Sequence, residues 1–307
     1  MSDSNVKTEI DLIGINVDTS CSYDCANCER YFECQWPQKE DFLKHGFYPL
    51  AKENLKNVKR KILVLGGKGG VGKSMLATNL AAALAKLGKK VCVLDQNYDC
   101  PAVPIMLGIE GKKLLTGKNG FIPAEGAGGV KVVSMGLILS PDEVIIWFHD
   151  SKRAATEEFL TNVDFGELDY LIFDIPAGTS SETVNVMKLI PDMDGSIVIT
   201  VPSEVSQNVA KRAILVSERA HVPVLGVIEN MGPFTCPDCG EVVGILQSGG
   251  GERLAREMGA EYWGSIPMDL EVSSSLDHGN PFVLQDEDFV GTRVIMTAAQ
   301  KLIKKYE

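Results

Sequence analysis

Two groups of residues in this 307-residue sequence are typed and spaced for chemistry. The first is Gly67-Lys68-Gly69-Gly70-Val71-Gly72-Lys73-Ser74, which fits the pattern GxxxxGK[ST]. Glycines let successive backbone N–H groups curl around an anion, and a following helix adds its positive end. Lys73 can then reach the β- and γ-phosphates of a nucleotide, and the Ser74 hydroxyl can ligate Mg²⁺. The second group is the thiols, eight in all. Cys21, Cys25, Cys28 and Cys34 lie close together near the N-terminus, and Cys236 and Cys239 form a CxxC pair. Cys92, inside an apolar run, reads as a small core residue, and Cys100 also reads as structural.

One CxxC supplies two thiolates, whereas a tetrahedral zinc or a [4Fe–4S] cluster takes four. The four histidines are scattered, so no second pair lies nearby. A two-fold symmetric dimer would bring two such pairs to one seam. On the residues alone a cluster, a zinc ion and a redox dithiol all remain open for Cys236 and Cys239. The N-terminal spacing, Cys21-x3-Cys25-x2-Cys28-x5-Cys34, can close around one cluster within a chain, with a structural zinc as the alternative.

These groups need a scaffold that presents them. From Lys61 onward, short apolar runs (KILVLG, KVCVLD, DYLIFD, SIVITV) alternate with helical stretches at Lys73–Leu87, Glu157–Thr161, Glu204–Arg219 and Glu252–Met258. Near-continuous apolar runs are expected of parallel strands covered on both faces. The pattern predicts an α/β fold with a doubly wound, mostly parallel sheet, whose ligands sit at the carboxyl ends of the strands. Residues 1–57 carry half the cysteines and no long apolar period, and read as a small cysteine-rich module, from which the linker NLKNVKRK leads into the main domain. Residues 58–307 read as the nucleotide domain. Lys plus Arg is 30 against 41 Asp plus Glu, a net charge of −11, which argues against a broad nucleic-acid surface. No apolar run approaches the roughly 18–20 residues of a membrane span. Clustered cysteines without a secretory-type leader point to the reducing cytosol and to metal rather than disulfides.

Asp174 ends the run LIFD and is the natural second acid of a phosphate-loop ATPase, with Ile175-Pro176-Ala177-Gly178-Thr179 after it as a γ-phosphate switch. The GKGGVGKS loop resembles the deviant Walker A of the nitrogenase iron protein, the Min and Par ATPases, and the iron–sulfur carriers. Over about residues 58–285 the sequence resembles the Mrp/ApbC/Nbp family of iron–sulfur carrier ATPases. The resemblance is carried by VDFGELDYLIFDIPAGT, GVIENMGPFTCPDC, GGGERLAREMGA and GSIPMD. It implies ATP and Mg²⁺ as ligands and a homodimer in which Lys68 reaches across to the partner's nucleotide. It also implies a [4Fe–4S] cluster bridged by Cys236 and Cys239 from two subunits, and an Asn230 that reads the adenine. Cys25, Cys28 and Cys34 resemble the last three ligands of an N-terminal cluster in one branch of the family.

There are departures. Where the family has DADxxGPS, this chain has Asp95-Gln96-Asn97-Tyr98-Asp99-Cys100-Pro101-Ala102. An amide at Asn97 can bond a water but cannot take its proton, so hydrolysis is expected to be slow or to rely on Asp95 or Asp99. The usual PPGT is Pro176-Ala177-Gly178-Thr179. The leading expectation is an ATP-hydrolysing scaffold or carrier that passes a cluster to apo-proteins. The alternatives are an ATP-dependent reductase serving a redox partner and a Min- or Par-type positioning ATPase. The last would use the amphipathic segment Phe289–Tyr306, which more simply reads as a core-packing helix.

Overall fold

A computed structural model describes residues 24–307, apart from 26–27, 29, 36, 141–142, 144–145, 147, 179–180, 191, 237–238 and 244–247. Its centre is an eight-stranded sheet made of β1 (Val58–Gly66), β2 (Val91–Asp95), β3 (Ala124–Glu125), β4 (Lys131–Val133), β5 (Leu168–Asp174), β6 (Gly195–Thr200), β7 (Val224–Gly232) and β8 (Tyr262–Pro267). The spatial order is β8-β7-β6-β1-β5-β2-β4-β3, and every pairing is parallel except that of β3 with β4. This is the doubly wound, mostly parallel sheet that the apolar runs predict. Strand β1 lies between β5 and β6, so the chain leaves it toward β2 on one side and later fills the other. Such a reversal opens a crevice at the carboxyl edge of the sheet.

Alternation along β1 divides the core. Ile62 and Val64 pack into a cluster with Leu76, Leu80 and Leu84 of α3 (Lys73–Lys86), Leu276 of α8 (Leu270–Asp277), and Ile295, Ala298 and Leu302 of α9 (Val290–Tyr306). Leu63 and Leu65 point to the opposite face. There they meet Phe159 and Leu160 of α4 (His149–Asn162), Val186 and Met187 of α5 (Ser181–Leu189), Ala210 and Ile214 of α6 (Glu204–Arg219), and Leu254 of α7 (Gly250–Glu257). The apolar stripe of α9 is therefore buried against the sheet. Helix α6 spans the residues its periodicity predicts, capped by the Ser203 side chain on the Ser206 N–H.

Four elements differ from expectation. Strand β1 starts at Val58, so the second half of the supposed linker is sheet; Val58 is buried and pairs with Leu168. Before it, α1 (Pro37–Lys44) and α2 (Phe47–Asn54) lead in, and α2 lies on α4, where the Asn54 amide donates to the carbonyls of Leu160 (3.0 Å) and Val163 (2.9 Å). Helix α4 begins well before the expected Glu157, because its first two turns are polar and carry no apolar period. Strand β8 and helix α5 carried no clear pattern. In β8, Gly264 and two register shifts against β7 interrupt the apolar run.

Strand β7 is tied to its neighbours by a buried acid. Glu229 accepts from the Gly251 N–H at the start of α7 (2.7 Å) and from the Ser265 hydroxyl of β8 (3.0 Å). Removing a buried charged acceptor strands both donors. Glu229→Ala is expected to cost roughly 2–4 kcal/mol, read as a lower urea midpoint with an unchanged slope.

Candidate functional site

The phosphate loop leaves β1 at Gly66 and enters α3 at Lys73. Its glycines are dictated by space as well as by torsion. A Cβ at Gly67 would lie 2.3 Å from the Ala210 backbone nitrogen of α6, so α6 can pack this closely only on a glycine. Gly72 has φ +98°, and a Cβ there would meet the Asn230 amide at 2.5 Å. Gly70 also has positive φ and stands open, as does Gly69. The Asn230 side chain donates to the Val71 carbonyl at 3.0 Å, which ties the end of β7 to the loop. Lys73 is buried and its Nζ reaches the Lys68 carbonyl at 3.4 Å, while the Lys68 residue itself is exposed. Burial pulls the Lys73 ammonium below its usual range, and the Asp174 carboxylate works against that.

Asp95 and Asp174 end adjacent parallel strands in register with one another. Both are about 1 % exposed, and burial raises both pKa values. Asp95 is raised further by the Asp174 charge, though it accepts hydrogen bonds from the Ser134 hydroxyl (2.9 Å) and the Asn97 N–H (3.0 Å). Neither oxygen of Asp174 has a hydrogen-bond partner among the described residues, although the nearby Ser74 hydroxyl and Lys73 ammonium favour its charged form. An orphaned, buried carboxylate beside a hydroxyl fits a hard divalent cation such as Mg²⁺, which takes oxygen ligands. The switch follows directly. The Gly178 N–H donates to the Gly66 carbonyl (3.1 Å), and the Thr183 hydroxyl donates back to the Gly178 carbonyl (3.3 Å). Thr179 lies outside the described residues.

The loop after β2 is held on all sides. The Asn97 amide donates to the Cys100 carbonyl (2.9 Å). Lys152 of α4 bridges Asp99 (2.6 Å) and the buried Glu182 of α5 (2.8 Å). Gln96, Tyr98 and Thr156 form a buried polar trio that fixes the loop to α4. Of the two acids expected to stand in for Asn97, Asp99 is thus engaged by a cation and Asp95 is inside the buried pair.

The CxxC sits in a hairpin that continues from β7, with Phe234–Thr235 pairing Val242–Val243. The Cys236 N–H donates to the Glu241 carbonyl and the Gly240 N–H to the Cys236 carbonyl, both at 2.9 Å. Cys236 is half-buried and Cys239 exposed. Near the N-terminus Cys25, Cys28 and Cys34 are half-buried, and Cys21 lies outside the described residues. Among the described residues, no three His, Cys, Asp or Glu side chains gather as a metal-ligand set. Cys92 is fully buried and burial pushes its thiol up to about 12; Cys100 is exposed.

The model of the ParA family of NUBPL iron-transfer P-loop NTPases matches residues 57–303. The chain belongs to this family. An iron–sulfur cluster carrier protein of Methanocaldococcus jannaschii is 44% identical over 267 residues, covering 87% of this chain and 91% of the relative. The cytosolic Fe-S cluster assembly factor NUBP2 of Mus musculus is 37% identical over 257 residues, 82% of this chain and 94% of that one. Among solved structures, a nucleotide-binding protein from Archaeoglobus fulgidus in complex with ADP superposes with a TM-score of 0.69 at 33% identity, covering 78% of this chain and 93% of that one. The MinD cell division protein of Aquifex aeolicus, at 24% identity and a TM-score of 0.57, covers 80% and 97% and shares the fold.

Sequence reasoning missed Ser134, Lys152, Glu182 and Lys188. A serine after a short strand and lysines on polar helix faces look like solvated surface; only the fold places them beside Asp95, Asp99 and Cys28.

The raised carboxyl groups give a pH dependence of known sign. The folded protein holds these protons more tightly than the unfolded chain, so their stabilisation is full below the unfolded pKa and is lost as pH rises through the folded one. Asp174→Asn is expected to stabilise the nucleotide-free protein at pH 8 by on the order of 1–2 kcal/mol, with the gain shrinking toward pH 5. Thermal unfolding at the two pH values checks this, and the same variant should lose Mg²⁺-dependent stabilisation by ATP.

Proposed function

We propose that this chain is an ATP-hydrolysing carrier that builds an iron–sulfur cluster on Cys236 and Cys239 at the seam of a homodimer and hands it to apo-proteins. The observation that carries the proposal is that one strand serves both sites. Asn230 of β7 bonds the phosphate loop, and six residues later the same chain presents Cys236. The relatives named as cluster carriers and assembly factors support the cargo. The mouse relative's name supports the cytosol as the compartment, where thiols stay reduced.

The residues divide the work. Backbone N–H groups of Gly67, Gly69, Gly70, Val71 and Gly72, with the N-terminus of α3, would cradle the phosphates of ATP. Lys73 would face the β- and γ-oxygens, and Lys68, exposed on the loop, would serve the partner's nucleotide. Ser74 and Asp174 would hold Mg²⁺, which neutralises phosphate charge when bound. Asp95 would orient the attacking water, and Gly178 would sense the γ-phosphate through its N–H. Two thiolates from each chain would complete a four-sulfur site around a [4Fe–4S] cargo. Hydrolysis would alter the dimer seam and so the hold on the cargo. Cys21, Cys25, Cys28 and Cys34 would bind a second metal centre, which we assign to iron and sulfide.

Anaerobic reconstitution tests the bridging site. Cys236→Ala with Cys239→Ala is expected to remove the shared cluster, leaving only what the N-terminal cysteines hold; unchanged iron and sulfide per dimer would sink the assignment. Offering an apo-acceptor then separates carrier from reductase. A carrier surrenders its cluster, whereas a reductase keeps it and passes electrons only with ATP. Lys68→Ala should lower hydrolysis roughly tenfold or more while one chain still binds nucleotide, and mixed dimers should show that the lysine acts on the partner's site.

A further inference from the structure

Helix α5 has one end at the phosphate loop and the other at the N-terminal cysteines. Its first turn follows the switch: Thr183 bonds the Gly178 carbonyl, and Glu182 is ion-paired to Lys152. Six residues on, about 9 Å along the axis, Lys188 turns to the cysteine segment. Its Nζ donates to the Cys28 carbonyl at 3.0 Å, and the Tyr31 hydroxyl reaches the Lys188 carbonyl at 3.5 Å. The ammonium also lies 5.4 Å from the centre of the Tyr31 ring. Lys188 and Tyr31 are only 6 % and 3 % exposed. Two weaker ties flank this contact: Lys39 to the Cys34 carbonyl (3.4 Å) and Arg219 to Glu33 (2.7 Å). A buried lysine on a surface segment 160 residues away in sequence is costly unless that contact has a use.

We propose that Lys188 is a positioning residue that clamps Cys28 and Tyr31 to α5, so that nucleotide in the phosphate loop changes how Cys25, Cys28 and Cys34 are presented to metal. The metal half of this statement rests on the assignment of those cysteines as a metal centre; the clamp itself does not. The two-state element is the Gly178 N–H. In this structure it donates to the Gly66 carbonyl. A γ-phosphate in the cradle is a stronger, charged acceptor for the same donor. Exchanging one acceptor for the other moves the start of α5, and a packed helix carries the shift to Lys188 as a unit. By reciprocity, metal on the cysteines changes nucleotide affinity by the same factor.

The test uses the full chain, labelled under anaerobic conditions with iodoacetamide, with Cys25, Cys28 and Cys34 quantified by peptide mass spectrometry. A non-hydrolysable ATP analogue with Mg²⁺ should change the labelling rate of the wild type by roughly fivefold or more. Lys188→Met should label faster than the wild type without nucleotide and lose the nucleotide response, and Lys188→Arg should restore both. A near-UV circular dichroism spectrum matching the wild type excludes general unfolding. A Lys188→Met chain that labels at the wild-type rate and still responds to nucleotide overturns the clamp. The second arm uses Co²⁺ in the Cys236→Ser, Cys239→Ser background, read by the thiolate-to-cobalt charge-transfer band. Lys188→Met should weaken Co²⁺ binding roughly tenfold, and nucleotide should shift the affinity only when Lys188 is present. If no band forms while the labelling pattern holds, the metal assignment falls and the clamp stands. A band equally strong in Lys188→Met, with no nucleotide dependence, keeps the metal assignment and removes the clamp.

Discussion

Two carboxylates lie side by side at the ends of adjacent parallel strands, both shut away from water, with one buried lysine nearby. The register that pairs Asp95 with Asp174 leaves neither strand room to slide, because a shift of one residue would turn each acid to the other face of the sheet. Ser134 and the Asn97 N–H satisfy Asp95. Asp174 is left with lone pairs that no hydrogen bond from the described residues uses. That leaves an unmet demand at the point where a cation and a phosphate would meet it. The close seat of α6 on Gly67 and the Asn230 bond to Val71 keep the cradle shaped around that demand.

Strand β7 extends this constraint outward. Glu229 fixes its end to α7 and β8, Asn230 fixes it to the phosphate loop, and Met231 then takes a left-handed backbone, φ +56°, as the chain turns toward the cysteine hairpin. A non-glycine residue in that region costs about 1 kcal/mol or more, and persists where its surroundings determine it. The partly buried Met231 side chain packs against the core. The hairpin thus leaves the sheet in a direction set by the same residues that shape the cradle.

Much of this was legible in the residues. The phosphate loop reads from its spacing, Asp95 and Asp174 from their places at the ends of apolar runs, and Cys92 from its apolar neighbours. Helices α6 and α9 read from a period that a sheet-facing helix must have. What could not be read is what the fold brings together from afar. Lys152 and Lys188 lie on short or polar helices where a lysine normally faces water, and their partners are 53 and 160 residues away. Strand β8 was hidden because a glycine, an uneven register and a closing proline break its pattern. Helix α5 was hidden because its nine residues mix polar and apolar types, and tertiary packing supplies most of its stability.

The burial of Cys92 bears on how an iron-handling protein keeps its sulfurs apart. Its thiol, pushed up to about 12 in the middle of β2, stays protonated at any pH a cell maintains. A protonated, inaccessible sulfur neither captures iron nor exchanges with a neighbouring disulfide. Among the described cysteines, six thiols therefore remain to compete for iron delivered to the folded chain. The Cys92 thiol appears only on unfolding, which makes its exposure in denaturant an internal reference for the integrity of the sheet.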